Sequence, residues 1–367
     1  MAKKNDPQQS GSLKRVLLIL LALILVLVIG AVAFVGYELS KINQLDAEQY
    51  LGDEDSSEDE DAGSDTISEE ILEWGEANVV TQVDGVCNIL LIGVDSRSED
   101  DTGRSDSMII LSINTNTEQI TLVSLLRDTY VQIPDYQNNR INAAYRYGGT
   151  ELLDATIELN YGIQIDYNVQ IDFNGFVDVI DTLGGVDIEL TEAEVNYLSG
   201  GENGEYEAYL RGGVSTDLVV GMNHLDGETA LDYARIRKID SDFNRTARQR
   251  KLITAVFEEM KGESILSLLQ VYDAIADNLA TDMTSTQIIS IAASAYMIAD
   301  AGLNSYSLPQ AGMYTSHTIR GMDVLVMNDW DEVRSTLYDW LYSDPNEDDG
   351  SASSGDLAAE SAAVTAE

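Results

Sequence analysis

Cys87-Asn88-Ile89-Leu90-Leu91-Ile92-Gly93-Val94 is a mostly apolar run of strand length that ends on the carboxylate of Asp95. So short a run, rich in Ile, Leu and Val and bounded by a turn signal, reads as a buried β-strand. Downstream, Ser107 to Asn114 and Gln119 to Leu126 are β-rich and flank Thr115-Asn116-Thr117-Glu118, the pattern of a hairpin. Ile165 to Phe173 alternates like a strand, and Val186 to Leu190 repeats the pattern after Gly184-Gly185. Between them lie helical stretches: Ile141 to Tyr147, Thr150 to Tyr161 beyond Gly148-Gly149, and Phe176 to Leu183. Asp226 starts a helix through Ala230 and Tyr233, and Asp242 starts another that runs to about Lys261. Ser199 to Gly213 is a Gly-rich, exposed loop, and Ile265 to Leu341 alternates helices with short strands. The expected fold class is α/β (α+β), a mixed central β-sheet flanked by helices in one domain spanning 85–342. No internal repeat is present.

The flanks differ in kind. Residues 1–15 are short and polar, with Lys3, Lys4, Lys14 and Arg15. Val16 to Tyr37 runs 22 residues without a charge, about 33 Å as a helix and enough to cross a bilayer. The basic flank places the N-terminus in the cytoplasm and the rest of the chain outside the cell membrane, as a single-pass protein. Ala31-Val32-Ala33 resembles a signal-peptidase site, but the apolar run is longer than a usual signal core, so an uncleaved anchor is expected. Residues 38–84 read as an acidic linker, with ten acids between Asp53 and Glu70, and 343–367 as a disordered acidic tail. About fifteen cytoplasmic residues are too few for a DNA-binding domain.

The 367 residues carry 64 acids, 21 bases and a net charge of −43. That balance argues against a nucleic-acid partner. One cysteine, Cys87, excludes an internal disulfide, and no Cys/His cluster exists to build a zinc site. A Ser-His-Asp device has only His224 to draw on, and Asn223-His224-Leu225-Asp226-Gly227 reads as a turn leading into a helix.

Seven of the 21 bases fall in the 17 positions from Arg235 to Lys251: Arg235, Arg237, Lys238, Arg245, Arg248, Arg250 and Lys251. The planar guanidinium fork suits phosphate oxygens, so the cluster reads either as a phosphate site or as a basic helix face on an acidic protein. Arg235 and Arg237 share a face if their segment is extended. On the following helix Arg245, Arg248 and Gln249 share a face, and Leu252, Ile253 and Val256 continue as its buried stripe. Asp242, one turn earlier, suits a cap, an arginine partner or a proton acceptor. Asp95 stands at a strand end, where α/β folds place ligands, and Asp106 begins the next strand. A loop can bring the two carboxylates together as a Mg²⁺ site on a phosphate ligand; alternatively Asp95 caps a turn and Asp106 is surface charge. Arg127, in Leu126-Arg127-Asp128, ends the second hairpin strand.

Several motifs occur in order: Gly93-Val94-Asp95-Ser96-Arg97, Arg104-Ser105-Asp106-Ser107-Met108, Ser124-Leu125-Leu126-Arg127-Asp128, Arg140-Ile141-Asn142-Ala143-Ala144-Tyr145 and Gly184-Gly185-Val186. Then follow Asn223-His224-Leu225-Asp226-Gly227, Tyr233-Ala234-Arg235-Ile236-Arg237 and Asp240-Ser241-Asp242-Phe243-Asn244-Arg245-Thr246-Ala247-Arg248-Gln249. The ordered set resembles the LytR-CpsA-Psr family of Gram-positive cell-wall enzymes over roughly residues 85–342. The resemblance implies a membrane-bound phosphotransferase that moves a glycopolymer (teichoic acid, capsule or another wall polysaccharide) from a polyprenyl-diphosphate carrier onto peptidoglycan through a phosphodiester. It also implies Mg²⁺, with Mn²⁺ as a substitute, on Asp95 and Asp106. Arg127, Arg235, Arg237, Arg245 and Arg248 would hold the diphosphate, Gln249 would support them, and Asp242 is the candidate base. An apolar tunnel for the lipid is expected, lined by strands and helices such as those holding Phe173, Phe176 and Ile180, residues that serve equally well as plain core. Arg140, Ala234 and Arg250 depart from the usual family pattern, where Lys, Val and a second Gln are common. A lipid-diphosphate pyrophosphatase and a non-catalytic envelope scaffold or regulator are the competing readings.

Overall fold

The structure is a computed structural model that describes residues 80–94, 105–262 and 279–344, together with the two-residue strand Asn43–Gln44. The expected anchor at 16–37, most of the acidic linker, Asp95 and the tail beyond Asp344 lie outside the described residues. Among the described residues no helix is long and apolar enough to cross a membrane.

The strand pattern closes into a seven-stranded mixed sheet of order β1-β10-β7-β2-β3-β4-β11. Its members are β1 (Asn43–Gln44), β2 (Val86–Val94), β3 (Ser105–Asn114), β4 (Gln119–Leu125), β7 (Tyr167–Ile171), β10 (Leu279–Thr281) and β11 (Leu303–Leu308). β2 and β3 pair antiparallel from Val86↔Asn114 to Val94↔Ser105, with one irregularity at Gly93/Val94. β3 and β4 form the expected hairpin, Met108↔Leu125 to Asn114↔Gln119. The Asn114 side chain holds its turn by accepting from the amides of Asn116 and Thr117 at 3.0 and 3.2 Å. β7 joins β2 and β11 joins β4, both in parallel. β2, β4, β7 and β11 therefore all end at the same edge of the domain.

Alternation along the strands sends side chains to two different cores. Leu90, Ile92, Ile110 and Val123 fill one face, all at most 1% exposed. There they meet α1 (Ile141–Tyr161) and α7 (Trp330–Tyr342) through Leu153, Ile157, Val333 and Leu337. On the other face, Ile89, Ile113 and Ile120 meet Phe257 of α5 (Asp242–Gly262) and Ile291, Ala295 and Ile298 of α6 (Ser285–Ile298). Packing on this side is looser: Cys87, Leu91, Leu111, Tyr167, Val169, Phe257 and Ile291 are only partly buried. A third core joins α2 (Phe173–Leu183), α3 (Glu192–Leu198), α4 (Gly227–Ala234) and α5 to the ribbon of β8 (Val186–Leu190) and β9 (Gly221–Leu225). Two further ribbons, β5 (Tyr130–Val131) with β6 (Asn139–Arg140) and β12 (Tyr314–Ile319) with β13 (Met322–Met327), complete the domain.

Three local readings change. The helices expected on either side of Gly148-Gly149 stack as one element, kinked where Gly149 takes φ 63. The strand expected over Ile165 to Phe173 stops at Ile171, because Asp172 caps α2 by accepting from the Gly175 amide at 2.8 Å, which draws Phe173 into the helix. The segment read as a turn around His224 is β9, paired with β8 through Asp187↔His224. Asn223 shapes its entry by donating to the carbonyls of Val219 and Gly221 at 2.7 Å each.

Candidate functional site

The carboxyl ends of the parallel strands gather the candidate groups. Asp106 is the second residue of β3, and the β3–β4 register, continued two residues past Met108↔Leu125, sets Arg127 across from the Asp106 backbone. Asp95 lies outside the described residues. Arg127 is half-buried, with its Nε 3.7 Å from Asp128, and Asp128 also meets Arg140 at 3.3 Å. The chain here is pinned by backbone bonds: the Leu126 amide donates to the Leu308 carbonyl, and the Ile141 amide to Thr129.

Helix α5 reaches the same end because it runs back along β11. Phe257 packs in the sheet-side core, Arg250 Nε donates to Ser305 Oγ at 3.0 Å, and Phe243 stacks on Tyr314 at 5.5 Å, beyond the end of β11. The N-terminus of α5, with its positive dipole end, is thus brought to the strand ends; Ser241 caps it, its Oγ accepting from the Asn244 amide at 3.4 Å and its carbonyl from the Arg245 amide at 3.2 Å. Arg245, in its first turns, is 2% exposed with all side-chain nitrogens shielded from solvent. Gln249, one turn later, is half-buried with an Oε1 that has no protein partner among the described residues. Asp242 opens the helix.

Arg235 approaches from a third direction. It ends α4 with helical backbone angles (φ −97, ψ 0), so it is not the extended partner of Arg237 that the spacing suggested. Its guanidinium lies 4.9 Å from the ring centroid of Phe173, just past the end of β7. Arg237 is exposed beyond the fully buried Ile236.

Arg248 has a different task. Its Nε donates to Glu194 Oε1 at 2.7 Å, one Nη to the Ile236 carbonyl at 3.3 Å, and the other to Asp240. Burial alone disfavours the charged form, but the hydrogen bonds and charges of Asp240 and Glu194 outweigh it, and the pKa is raised. Arg248 therefore fixes the 236–240 segment against α3 and is committed to carboxylates of its own chain. Arg250 and Lys251 face away from Arg245. They line a groove of about 420 Å³ with Asp187, Glu258, Glu259 and Ser305, and burial lowers the Arg250 pKa to about 10. The clustered bases are thus divided among several environments: Arg245 is buried, Arg235 lies on Phe173, Arg237 is exposed, Arg248 is held by carboxylates, Arg250 and Lys251 line a groove, and Lys238 lies over the Tyr209 ring.

Some contributors were not read from the sequence. Glu194 shows a capping-box signature, Thr191-x-x-Glu194, but its second oxygen is what neutralises Arg248. Arg211, in the loop read as merely exposed, is held where its own amide and that of Gly212 donate to the buried Asp232 at 2.8 and 2.9 Å. From there its side chain donates to Asn174 at 2.8 Å, next to Phe173. Of the residues named with the expected lipid tunnel, Ile180 is buried in the third core, Phe176 packs against it, and the Phe173 ring meets Arg235. A partly packed apolar surface lies between the sheet, α5 and α6. Among the described residues no three His, Cys, Asp or Glu side chains collect as a metal centre.

The model of the LytR_cpsA_psr family matches residues 45–336. The chain belongs to this family. A teichoic acid transferase of Oceanobacillus iheyensis, "Polyisoprenyl-teichoic acid--peptidoglycan teichoic acid transferase TagU", is 35% identical over 217 residues, 57% of this chain and 62% of that protein. The namesake of Enterococcus faecalis is 30% identical over 56% of this chain and 64% of its own. The chain thus spans about three-fifths of the length of these relatives. Among solved structures, protein gbs0355 from Streptococcus agalactiae superposes with a TM-score of 0.59 at 28% identity, covering 70% of this chain and 88% of that one. "TagT bound to LIIa-WTA" superposes at 0.57 with 25% identity, covering 70% and 91%. The LytR-CpsA-Psr domain so defined has a mixed sheet between helical layers, as its strand pattern foretold.

Proposed function

We propose that this LytR-CpsA-Psr protein is a membrane-anchored, Mg²⁺-dependent phosphotransferase that moves a glycopolymer from a polyprenyl diphosphate onto peptidoglycan. The observation that carries the reading is that Arg127 follows β4, Arg235 meets Phe173 just past β7, and Arg245 lies in the first turns of α5, all on the carboxyl-end side of the sheet. Phosphoryl transfer asks a protein for positioning and charge neutralisation more than for covalent chemistry. Guanidiniums and a helix N-terminus on one side of the sheet answer that need for a diphosphate. Arg237 and Gln249 add donors at the rim, and Arg248 acts by holding the 236–240 segment.

In the transfer, a sugar hydroxyl of peptidoglycan attacks the phosphorus that bears the polymer. The bond to the bridging oxygen breaks, and the lipid monophosphate leaves with the electron pair. The arginines bear on the charge that collects on the leaving phosphate. We assign the hydroxyl proton to Asp242. Asp95 and Asp106 are two hard carboxylates, the donor set that suits a Mg²⁺ whose shell is completed by phosphate and water. Held there, the ion would supply further charge neutralisation. The half-packed apolar surface formed by Leu91, Leu111, Val169, Phe257 and Ile291 suits the prenyl tail. Residues 16–37 anchor the domain outside the cell membrane.

The test uses the purified full chain with a polyprenyl-diphosphate sugar, Mg²⁺ and peptidoglycan fragments, with and without EDTA, beside Arg237→Ala. The expected result is metal-dependent release of lipid phosphate, with the sugar phosphate joined to the fragment. Release of free sugar phosphate would make the protein a pyrophosphatase. Lipid binding without turnover would make it a carrier.

A further inference from the structure

Helix α6 is unlike every other helix described. Ser285 to Ile298 holds no charged residue, whereas the other six α-helices each carry at least two carboxylates in a chain of net charge −43. One side of α6 has a clear purpose: Ile291, Ala295 and Ile298 pack on the sheet. The helix is fixed there by the Thr284–Gln287 capping box and by Gln287 Nε2, which donates to the Tyr167 hydroxyl at 2.8 Å. The opposite side is uncharged and mostly apolar, with Thr286 and Ser290 as its exposed hydroxyls. Ile289 is 40% exposed, Tyr296 65% and Met297 83%, and Ala292 and Ala293 between them are also exposed. An exposed helix face this apolar belongs in an interface or against lipid, and with no carboxylate it does not add to the repulsion between an acidic protein and an anionic membrane.

Its place in the fold says what covers it. β10 ends three residues before α6 begins, and β1 pairs with β10 in parallel, Asn43↔Ala280 and Gln44↔Thr281. Five residues, hence six Cα steps, separate Tyr37, the end of the apolar N-terminal run, from Asn43. A stretch of that length reaches at most about 20 Å. On the anchor reading above, on which this inference rests, the edge of the sheet beside α6 is therefore tethered close to the bilayer.

We propose that the outward face of α6, formed by Ile289, Ala292, Ala293, Tyr296 and Met297, rests on the lipid bilayer. The occupant is the membrane surface itself. Tyr296 has the amphipathic ring favoured at headgroup depth, and Met297 and Ile289 supply the apolar contact beneath it. The arrangement sets one wall between lipid and cleft: the inner side of α6 lines the half-packed surface of the sheet. A prenyl chain then passes from bilayer to protein around a single helix.

The test reconstitutes the full chain into vesicles of equal parts phosphatidylglycerol and phosphatidylcholine. An environment-sensitive fluorophore is attached at Met297→Cys in a Cys87→Ser background, with Ser335→Cys on α7, across the sheet, as the reference. Doxyl-labelled lipid should quench the Met297 probe several-fold more than the Ser335 probe. Equal quenching overturns the proposal even when the chain floats with the vesicles and transfers polymer. A chain that does not float overturns the anchor and the docking together. Independently, Ile289→Glu with Met297→Glu, both at exposed positions, should lower transfer from a vesicle-borne donor by about tenfold. The same pair should leave transfer from a detergent-dispersed donor unchanged, and an equal loss in both formats refutes a bilayer role.

Discussion

Removing the carboxylate of Glu194 tests whether Arg248 acts through the fold or on the substrate. Glu194 holds two things at once: Oε2 accepts from the Thr191 amide and hydroxyl at 2.9 Å each, closing the cap of α3, and Oε1 accepts from Arg248 at 2.7 Å. Losing the cap costs about 1 kcal/mol. Leaving a nearly buried guanidinium with Asp240 as its one remaining carboxylate partner costs about 3 kcal/mol, the low end for breaking a buried pair. Glu194→Ala should therefore lose about 4 kcal/mol, a drop in Tm of about 8–16 °C for a domain of this size. Glu194→Gln keeps an acceptor for the cap and should lose only about 2 kcal/mol. Glu194→Leu with Arg248→Met removes both charges and should return most of the stability, a coupling of about 2–3 kcal/mol in the double-mutant cycle. Urea unfolding of the full chain in detergent, followed by far-UV circular dichroism, reads all of these. A loss below about 1 kcal/mol for Glu194→Ala, the value of an exposed pair, refutes the buried network. Binding of a polyprenyl diphosphate gives the second readout. If Arg248→Met, corrected for its unfolded fraction, binds as poorly as Arg245→Met, then Arg248 touches the ligand and the positioning role is wrong.

Other outcomes follow from the same geometry. Burial, reinforced by the charges of Asp282, Glu158 and Glu151 and only partly offset by the Asn168 hydrogen bond, pushes the Asp154 carboxyl up to about 7. The folded state then binds more protons than the unfolded one between about pH 4 and 7, so stability falls as pH rises through that window. Asp154→Asn should raise Tm at pH 8, leave it nearly unchanged at about pH 4, and flatten the pH profile; a profile identical to that of the parent would refute this. Gly185 has φ +112, and a Cβ there would meet His224 Nε2 at 2.4 Å and the Leu225 carbonyl oxygen at 2.9 Å. Gly185→Ala should cost about 2–4 kcal/mol in urea unfolding, from strain and the clash together. Arg250 is half-buried with a lowered pKa and donates to a serine rather than a carboxylate, so Arg250→Gln should change stability by less than about 1 kcal/mol and leave transfer intact.

The layered fold was legible because its strands are self-contained signals. β2, β3, β4 and β8 are each rich in Ile, Leu and Val and end at turn residues or glycines, so local chemistry and global fold agree. β9 was not legible: Gly221-Met222-Asn223-His224-Leu225 has one strongly apolar inward residue, and its pairing depends on Asp187 and the Asn223 turn contacts rather than on propensity. The site was legible as a composition, seven bases in 17 positions, but not as an arrangement. Helical spacing grouped Arg245 with Arg248 correctly as neighbours. It carried no information on Glu194, 54 residues away, which takes Arg248 for itself. Arg211 illustrates the same limit, since a loop's destination is set by what it docks on, here Asp232.

The parallel pairing of β11 with β4 bears on how the chain reaches this state. Ile120 is matched with Leu303, a separation of 183 residues (303 − 120). At about 5–20 residues per second, synthesis leaves the outer edge of β4 without its neighbour for roughly 10–40 s. Contact order of this kind slows folding, and an unpaired apolar strand edge is a template for aggregation in the meantime. The β2–β3–β4 meander can form early from neighbouring residues, but the sheet is not closed until Leu308 has arrived. A chain truncated before Leu303 would retain every arginine of the cluster and still present an open edge. Its fate would be decided by chaperones and proteases rather than by its chemistry.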